Sequence, residues 1–125
     1  MANPIFDHEK LDVYQVTLSY IESTSRLSFE LPKQFRHTRD QWLRAAQSIA
    51  LNIAEGNGKR SQRDRERFFD IARGSALECC AIQDVLVVSG GMQQAVNEKL
   101  KEKLKRVVSM LSKMVEYGKS TRSTP

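Results

Sequence analysis

Five cations fall within nine residues, Lys59, Arg60, Arg63, Arg65 and Arg67, and the chemistry such a cluster supports is anion binding. Guanidinium forks match phosphate oxygens, and a basic loop leading into a helix adds free amides and the positive end of the helix dipole. Lys59, Arg60, Arg63 and Arg67 are therefore the expected contacts to the phosphate backbone of RNA or DNA, made without reading bases. Asp64, Glu66 and Asp70 interleave with them, and a solvated helix face with local ion pairs is the competing reading. A second run, Lys99, Lys101, Lys103, Lys105 and Arg106, is punctuated by Glu98 and Glu102 and reads as ordinary helix solvation.

Catalysis would have to come from His8, His37, Cys79, Cys80 and the carboxylates. Neither histidine stands in a Glu-x-x-His motif, and there is no Cys-x-x-Cys or His-x-x-x-His pair to hold zinc. Gly56-x-Gly58 lacks the preceding strand and following Lys-Ser/Thr of a nucleotide loop. Cys79 and Cys80 are adjacent, where a bridge would strain the backbone, so they read as small buried hydrophobes. The expectation is a protein that is not an enzyme, with no metal, no cofactor and no small-molecule substrate.

Arg44, Ser48, Asn52 and Glu55 are spaced by four, four and three residues and share one helix face, while Ser75 and Glu78 lie one turn apart on another helix. Two readings stand side by side. One is a ligand or phosphate pocket. The other, favoured because an unpartnered half-buried carboxylate is costly, is a structural polar network. In that network Asn52 and Glu55 tie down the glycine loop, Glu78 pairs with an arginine at a helix or subunit contact, and Gly74 lets a neighbouring helix come close.

The elements that must position these residues are helices. The chain has 125 residues, 20 Lys+Arg against 15 Asp+Glu and 40% apolar residues, which suits one compact domain. No uninterrupted apolar stretch in the chain is longer than the four residues of Val85 to Val88, far short of the roughly 20 of a membrane span, so a cytoplasmic protein is expected. Leu11, Tyr14, Leu18 and Ile21 mark a first helix over about residues 8–29, with Asp7 as its cap and Pro32 beyond its end. Thr38 and Gln41 form a capping box for a second helix carrying Leu43, Ala46, Ile49, Ala50 and Ile53, stopped at Glu55 by a left-handed Gly56. Ser61 and Asp64 open a third helix with the stripe Phe68, Ala72, Ser75, Cys79, Ile82 and Leu86. Val96, Leu100, Leu104, Val107, Leu111 and Met114 mark a fourth, ending before Gly118. The expected fold is all-α, an antiparallel up-down-up-down four-helix bundle over residues 1–118 with a flexible basic tail at 119–125.

Bulky residues remain off these stripes: Trp42, Leu51, Phe69, Leu77, Val87 and Val88. Phe68 and Phe69 with Ala72, Arg73 and Ala76 give the third helix an apolar arc wider than a monomer uses. A homo-oligomer is expected, with Trp42, Phe69, Arg73 and Ala76 in its interface. Residues 31–73 hold ten bases against five acids, so assembly would gather their charge into one field.

The stretch Ser48-Ile49-Ala50-Leu51-Asn52-Ile53-Ala54-Glu55-Gly56-Asn57-Gly58-Lys59-Arg60-Ser61, followed by Phe68, Ile71-Ala72-Arg73-Gly74-Ser75 and Glu78, closely resembles the four-helix-bundle family of the 23S rRNA intervening sequence. That family's pattern reads approximately S-I-P-x-N-I-A-E-G-x-G-R-x-S, then F, then I-A-x-G-S-x-x-E. Leu11-Asp12-Val13-Tyr14 resembles its opening L-x-V-W, and Gln41, Arg44, Ala45 and Ala46 its Q-x-x-R-A-A, so the likeness runs essentially the whole chain. Ala50 replaces the usual proline, and Leu43 replaces a frequent second arginine, which weakens the case for RNA contact by that helix. The resemblance implies a left-handed bundle assembling as a ring-like cytosolic homopentamer without known enzymatic activity. Some relatives are encoded within insertions of ribosomal RNA genes, and a remote one accompanies the reverse transcriptase of diversity-generating retroelements. Both associations point toward RNA or DNA as partner. The alternative is a homo-oligomeric scaffold for protein–protein interaction without nucleic-acid binding.

Overall fold

A computed structural model describes residues 3–123. It contains four helices, α1 (Asp12–Phe29), α2 (Arg36–Gly58), α3 (Gln62–Val88) and α4 (Gln94–Ser123), with short 3₁₀ turns at Asp7–Lys10 and Lys33–Phe35 and no strand among the described residues. Each helix lies beside its neighbours in sequence, and α1 closes against α4, while the backbones of the diagonal pairs stay apart. On α2 and α3, Ser48 meets Ser75 while Gly56 meets Phe69, and on α3 and α4 Arg73 meets Ser112 while Gln83 meets Asn97; residue numbers rise on one helix as they fall on the other, so both pairs are antiparallel.

The core is filled from all four helices by Tyr20, Trp42, Ile49, Ile53, Phe69, Leu86, Leu104 and Leu111. Burial of such side chains stabilises by ~1.5–3 kcal/mol each. Three residues expected at an oligomer interface are in this core: Trp42 is fully buried, Phe69 is 3% exposed and Ala76 fully buried. The fourth, Arg73, donates through Nε to Ser112 Oγ at 2.8 Å and so ties α3 to α4. The wide arc on α3 exists because that helix packs against both α2 and α4, and two neighbours need two stripes.

The face α1 buries also differs from the expectation. Val13, Val16, Thr17, Tyr20, Thr24 and Ser28 point inward, and Leu11, Tyr14 and Ile21 pack from the flank. Both lines have helical spacing. Three hydroxyls of the buried line have partners: Thr17 donates to the Val13 carbonyl at 2.7 Å, Ser28 to the Ser25 carbonyl at 2.8 Å and Tyr20 to Gln83, while Thr24 Oγ1 is buried with none among the described residues.

That buried polarity culminates in a chain of hydrogen bonds through the bundle. Trp42 Nε1 donates to the Tyr20 hydroxyl at 2.9 Å, which donates in turn to Gln83 Oε1. Gln83 Nε2 donates to Asn97 Oδ1 at 2.9 Å, and Asn97 Nδ2 to Asp84 Oδ1 at 3.0 Å. Lys101 closes the chain on Asp84 at 2.6 Å, and with Asn97 it holds that carboxyl below its usual range. One residue or more from every helix takes part, so a one-residue slip of any helix would strand a buried polar group.

Helix limits follow partly different rules from those expected. Ser61 Oγ accepts from the Asp64 amide at 3.1 Å, the cap anticipated for α3. Thr38 does not cap α2, which already begins at Arg36 out of the turn that follows Pro32. The helix expected from residue 8 starts at Asp12, after its own 3₁₀ turn. Gly56 is no left-handed stop: α2 runs through it to Gly58, and the one positive-φ glycine among the described residues is Gly90, at φ 86°, past the end of α3. Gly118 is likewise buried inside α4, which continues through the expected tail to Ser123; residues 124 and 125 lie outside the described part. Both glycines are there for close approach. A Cβ on Gly56 would sit 2.8 Å from Phe69 Cε1, and one on Gly118 would sit 3.0 Å from Glu66 Cγ.

Candidate nucleic-acid interface

The turn between α2 and α3 is fixed from below by Arg65. Its guanidinium donates to the Asn57 carbonyl at 2.7 Å, to Asn57 Oδ1 at 3.3 Å and, at the limit of bonding distance, to the Lys59 carbonyl at 3.4 Å. The same group lies 5.6 Å from the Phe69 ring centroid, and Asn57 Nδ2 reaches across to Asp7 Oδ2 at 3.1 Å. Carbonyls at the end of α2 thus find their donor in a side chain one turn into α3. Sequence spacing alone could not separate Arg65 from its neighbours, since all five cations lie in the same polar run.

The remaining four cations face outward. Lys59 Nζ lies 5.1 Å and Arg67 Cζ 4.9 Å from the centroid of the Phe68 ring, which places the two cations no more than 10.0 Å apart. The ring is half-buried and anchored beside Gly56, so it serves as a fixed platform for both charges. Arg60 and Arg63 are exposed beside them and make no hydrogen bond or ion pair among the described residues. Arg67 meets Asp64 at 3.9 Å with both side chains more than half exposed, a contact too weak to neutralise the cluster. Of the four residues named from sequence, Lys59 and Arg67 share the Phe68 ring, and Arg60 and Arg63 are exposed on the same turn and the first turn of α3. In the lysine run of α4, Lys101 is held by Asp84 and Lys103 by Ser19 and Ser23, at 2.8 and 3.3 Å, which fits its reading as solvation and local pairing.

The polar line on α2 divides into two groups. Ser48 and Ser75 share a hydrogen bond at 2.9 Å across the α2–α3 seam, and Asn52 Nδ2 donates to the Ser48 carbonyl at 2.8 Å and to its hydroxyl at 3.0 Å. Arg44, Glu55 and Glu78 do not belong to that network: all three are exposed and form no bond within the described residues. Glu55 therefore does not tie down the glycine loop, because the helix passes straight through Gly56 and Arg65 does the tying. Arg44 and Glu78 instead flank the hydroxyls in an open cleft of about 260 Å³. Gly74 is exposed with nothing near the position of a Cβ, so it brings no helix of its own chain close.

His8 packs edge-on against Tyr14 at 4.8 Å, and no three His, Cys, Asp or Glu residues converge on a possible metal position among the described residues. Burial pushes the Cys79 thiol up to about 12 and also raises Cys80, the opposite of what a nucleophile needs. Among the described residues no helix is long and apolar enough to cross a membrane.

Comparison with known proteins agrees with this architecture. The family model described as 23S rRNA-intervening sequence protein matches residues 9–113. Among solved structures, a protein with unknown function from the S23 ribosomal protein family of Bacteroides thetaiotaomicron VPI-5482 superimposes with a TM-score of 0.78 at 20% identity, covering 83% of this chain and 95% of that one. No curated protein matches. At that identity the structural likeness speaks for the fold alone.

Proposed function

The chain belongs to the 23S rRNA-intervening sequence protein family, and we propose that it is a non-enzymatic, homo-oligomeric, cytoplasmic protein that binds the phosphate backbone of RNA or DNA. Lys59, Arg60, Arg63 and Arg67 make the contacts. The observation that carries this reading is the pair of cations fixed on one Phe68 ring with two further unengaged arginines beside it, on a turn braced by Arg65. Cations held in place lose little entropy on meeting phosphates, whereas lysines scattered on a helix lose more. Both flanking charges lie against the ring, so Phe68 supports the cations rather than stacking on a base, and binding is indifferent to sequence.

Self-association rests on a different set of residues from the one expected. Leu51 is 68% exposed, Val88 85% and Phe29 88%, and Ile71, Leu77 and Val85 are also uncovered. Assembly with parallel axes would place every basic turn on one side and multiply weak phosphate contacts.

A filter-binding titration with single-stranded RNA and duplex DNA tests the reading. Binding of both at low salt, weakened alike for all sequences by Arg60→Ala and Arg63→Ala, is the expected result. Absence of binding at low salt, or indifference to both substitutions, would discard it in favour of a protein scaffold, for which partners would survive nuclease treatment of a lysate.

A further inference from the structure

A pocket adjoins the basic turn and shares a residue with it. Gln62, Arg65 and Phe69 of α3 and Lys113, Met114 and Tyr117 of α4 line a cavity of about 270 Å³. Arg65 is the common member, since it bonds the Asn57 and Lys59 carbonyls of the turn and also forms part of the pocket wall. The pocket exists because α1 starts late. Ser19 and Ser23 of α1 meet Lys103, and Leu27 lies with Val96 farther along, so α1 is antiparallel to α4 and its first residue, Asp12, is level with the turn of α4 around Ser112. From Lys113 onward α4 extends past the start of α1, and the 3₁₀ turn at Asp7–Lys10 packs toward α1 and α2 and not toward α4.

The lining combines an apolar wall with polar groups that the chain leaves unengaged. Tyr117 is 71% exposed, Met114 is half-buried, and Phe69 is buried. Gln62, Lys113 and the Tyr117 hydroxyl make no side-chain hydrogen bond or ion pair among the described residues, and no carboxylate among them lines the cavity. An exposed ring, an amide that both donates and accepts, and an ammonium donor match the two surfaces of a nucleobase. Its faces stack on aromatic side chains, and its edge carries ring nitrogens, carbonyl oxygens and amino groups. The polarizable thioether of Met114 is a further soft contact for a ring.

We propose that this pocket takes one unpaired base of a single-stranded nucleic acid whose phosphates lie on the basic turn. The inference rests on the phosphate-backbone reading above and adds to it a contact that only a single strand can make. The base stacks on Tyr117, its edge meets Gln62 and Lys113, and Arg65, standing between pocket and turn, keeps the two sites at a fixed spacing. In a duplex the same base is paired and stacked on its neighbours, so it must be extruded at a cost before it can enter, and phosphate contacts alone remain. Every base has a face to stack, and Gln62 can turn to donate or to accept, so the pocket admits any of the four and binding stays indifferent to sequence.

Titration of wild type, Tyr117→Ala and Tyr117→Phe with a short oligouridine, and with the same strand paired to oligoadenine, tests this. Tyr117→Ala is expected to weaken single-strand binding by about tenfold while changing duplex binding less than about twofold, and Tyr117→Phe, which keeps the ring, should stay near wild type. Oligouridine carrying 5-iodouracil should crosslink to Tyr117 of the wild type on irradiation. Tyr117 is mostly exposed, so melting followed by circular dichroism should be the same in all three proteins. An equal loss for both forms, no loss for either, a phenylalanine variant as weak as the alanine one, or a crosslink confined to other residues would overturn the base pocket. The phosphate surface would still stand if Arg60→Ala and Arg63→Ala weakened both forms. Wild-type protein that binds neither form would overturn the phosphate reading and this inference with it.

Discussion

Gly56→Ala should destabilise the protein even though it replaces the poorest non-proline helix former with the best. In the interior of α2 the exchange gains roughly 0.5–1 kcal/mol of helix propensity. Against that, the new methyl group would meet Phe69 Cε1 at 2.8 Å, and Phe69 Cδ1 and Phe68 Cβ at 3.0 Å, where carbon atoms in contact sit about 3.5–4.0 Å apart. Phe69 is 3% exposed and has Arg65 against its ring, so it has nowhere to retreat without moving α3 away from α2. Overpacking of this kind costs ~1–3 kcal/mol, leaving a net loss of up to ~2.5 kcal/mol and a fall in Tm of up to several degrees. Urea unfolding followed by circular dichroism measures it directly, with Gly74→Ala as the control that has open space and should gain up to ~1 kcal/mol in protein diluted below its association range. A midpoint for Gly56→Ala equal to or above wild type would refute the reasoning. The glycine would then be serving a backbone conformation and not a helix contact.

Three further outcomes follow from the same structure. Tyr20→Phe should cost about 2–4 kcal/mol in urea unfolding, because it strands the Trp42 indole N–H and Gln83 Oε1 in the dry core; a loss below ~1 kcal/mol would mean the network does not act as drawn. Stability should hold up to about pH 9 and then fall. The Cys79 thiol titrates near 9.0 when unfolded but is pushed up to about 12 in the fold, and the buried Tyr20 hydroxyl is raised as well. Folding therefore retains protons that the unfolded chain releases, and stability declines by up to ~1.4 kcal/mol per pH unit for each group across that window. Cys79→Ala should make the decline shallower, and an unchanged pH profile would contradict it. Phe68→Leu should leave the melting temperature within a few degrees while weakening RNA binding several-fold, since Lys59 and Arg67 lose their shared platform; unchanged affinity would show that the ring is packing alone.

Long periodic stretches make the four helices legible in the sequence, and Ser61 with Asp64 marks the start of α3 because that cap is local chemistry. What depended on a partner element was read less well. Gly56 and Gly118 resemble helix stops, and only the positions of Phe69 and Glu66 on the neighbouring helix reveal why a side chain is forbidden there. Trp42 and Phe69 look surplus to a single stripe per helix, whereas α2 and α3 each bury residues toward two neighbours. The Tyr20–Gln83–Asn97 chain joins residues up to 63 positions apart, a separation at which no periodicity signals a bond. The basic cluster is visible as composition, but the division between Arg65, spent on the turn, and its four neighbours requires the carbonyl positions of Asn57 and Lys59.

The dependence of RNA affinity on salt goes to the heart of the account. Four phosphate contacts per subunit to a single strand predict a slope of log K against log salt near −2.8, a loss of about 50-fold between 50 and 200 mM, with a larger loss if several subunits engage one strand. Replacing Lys59, Arg60, Arg63 and Arg67 together by alanine should flatten that slope by the same amount in a protein that remains folded and assembled. A wild-type affinity that does not change with salt, or a quadruple variant with the wild-type slope, would contradict the assignment of these four cations to a phosphate-binding surface.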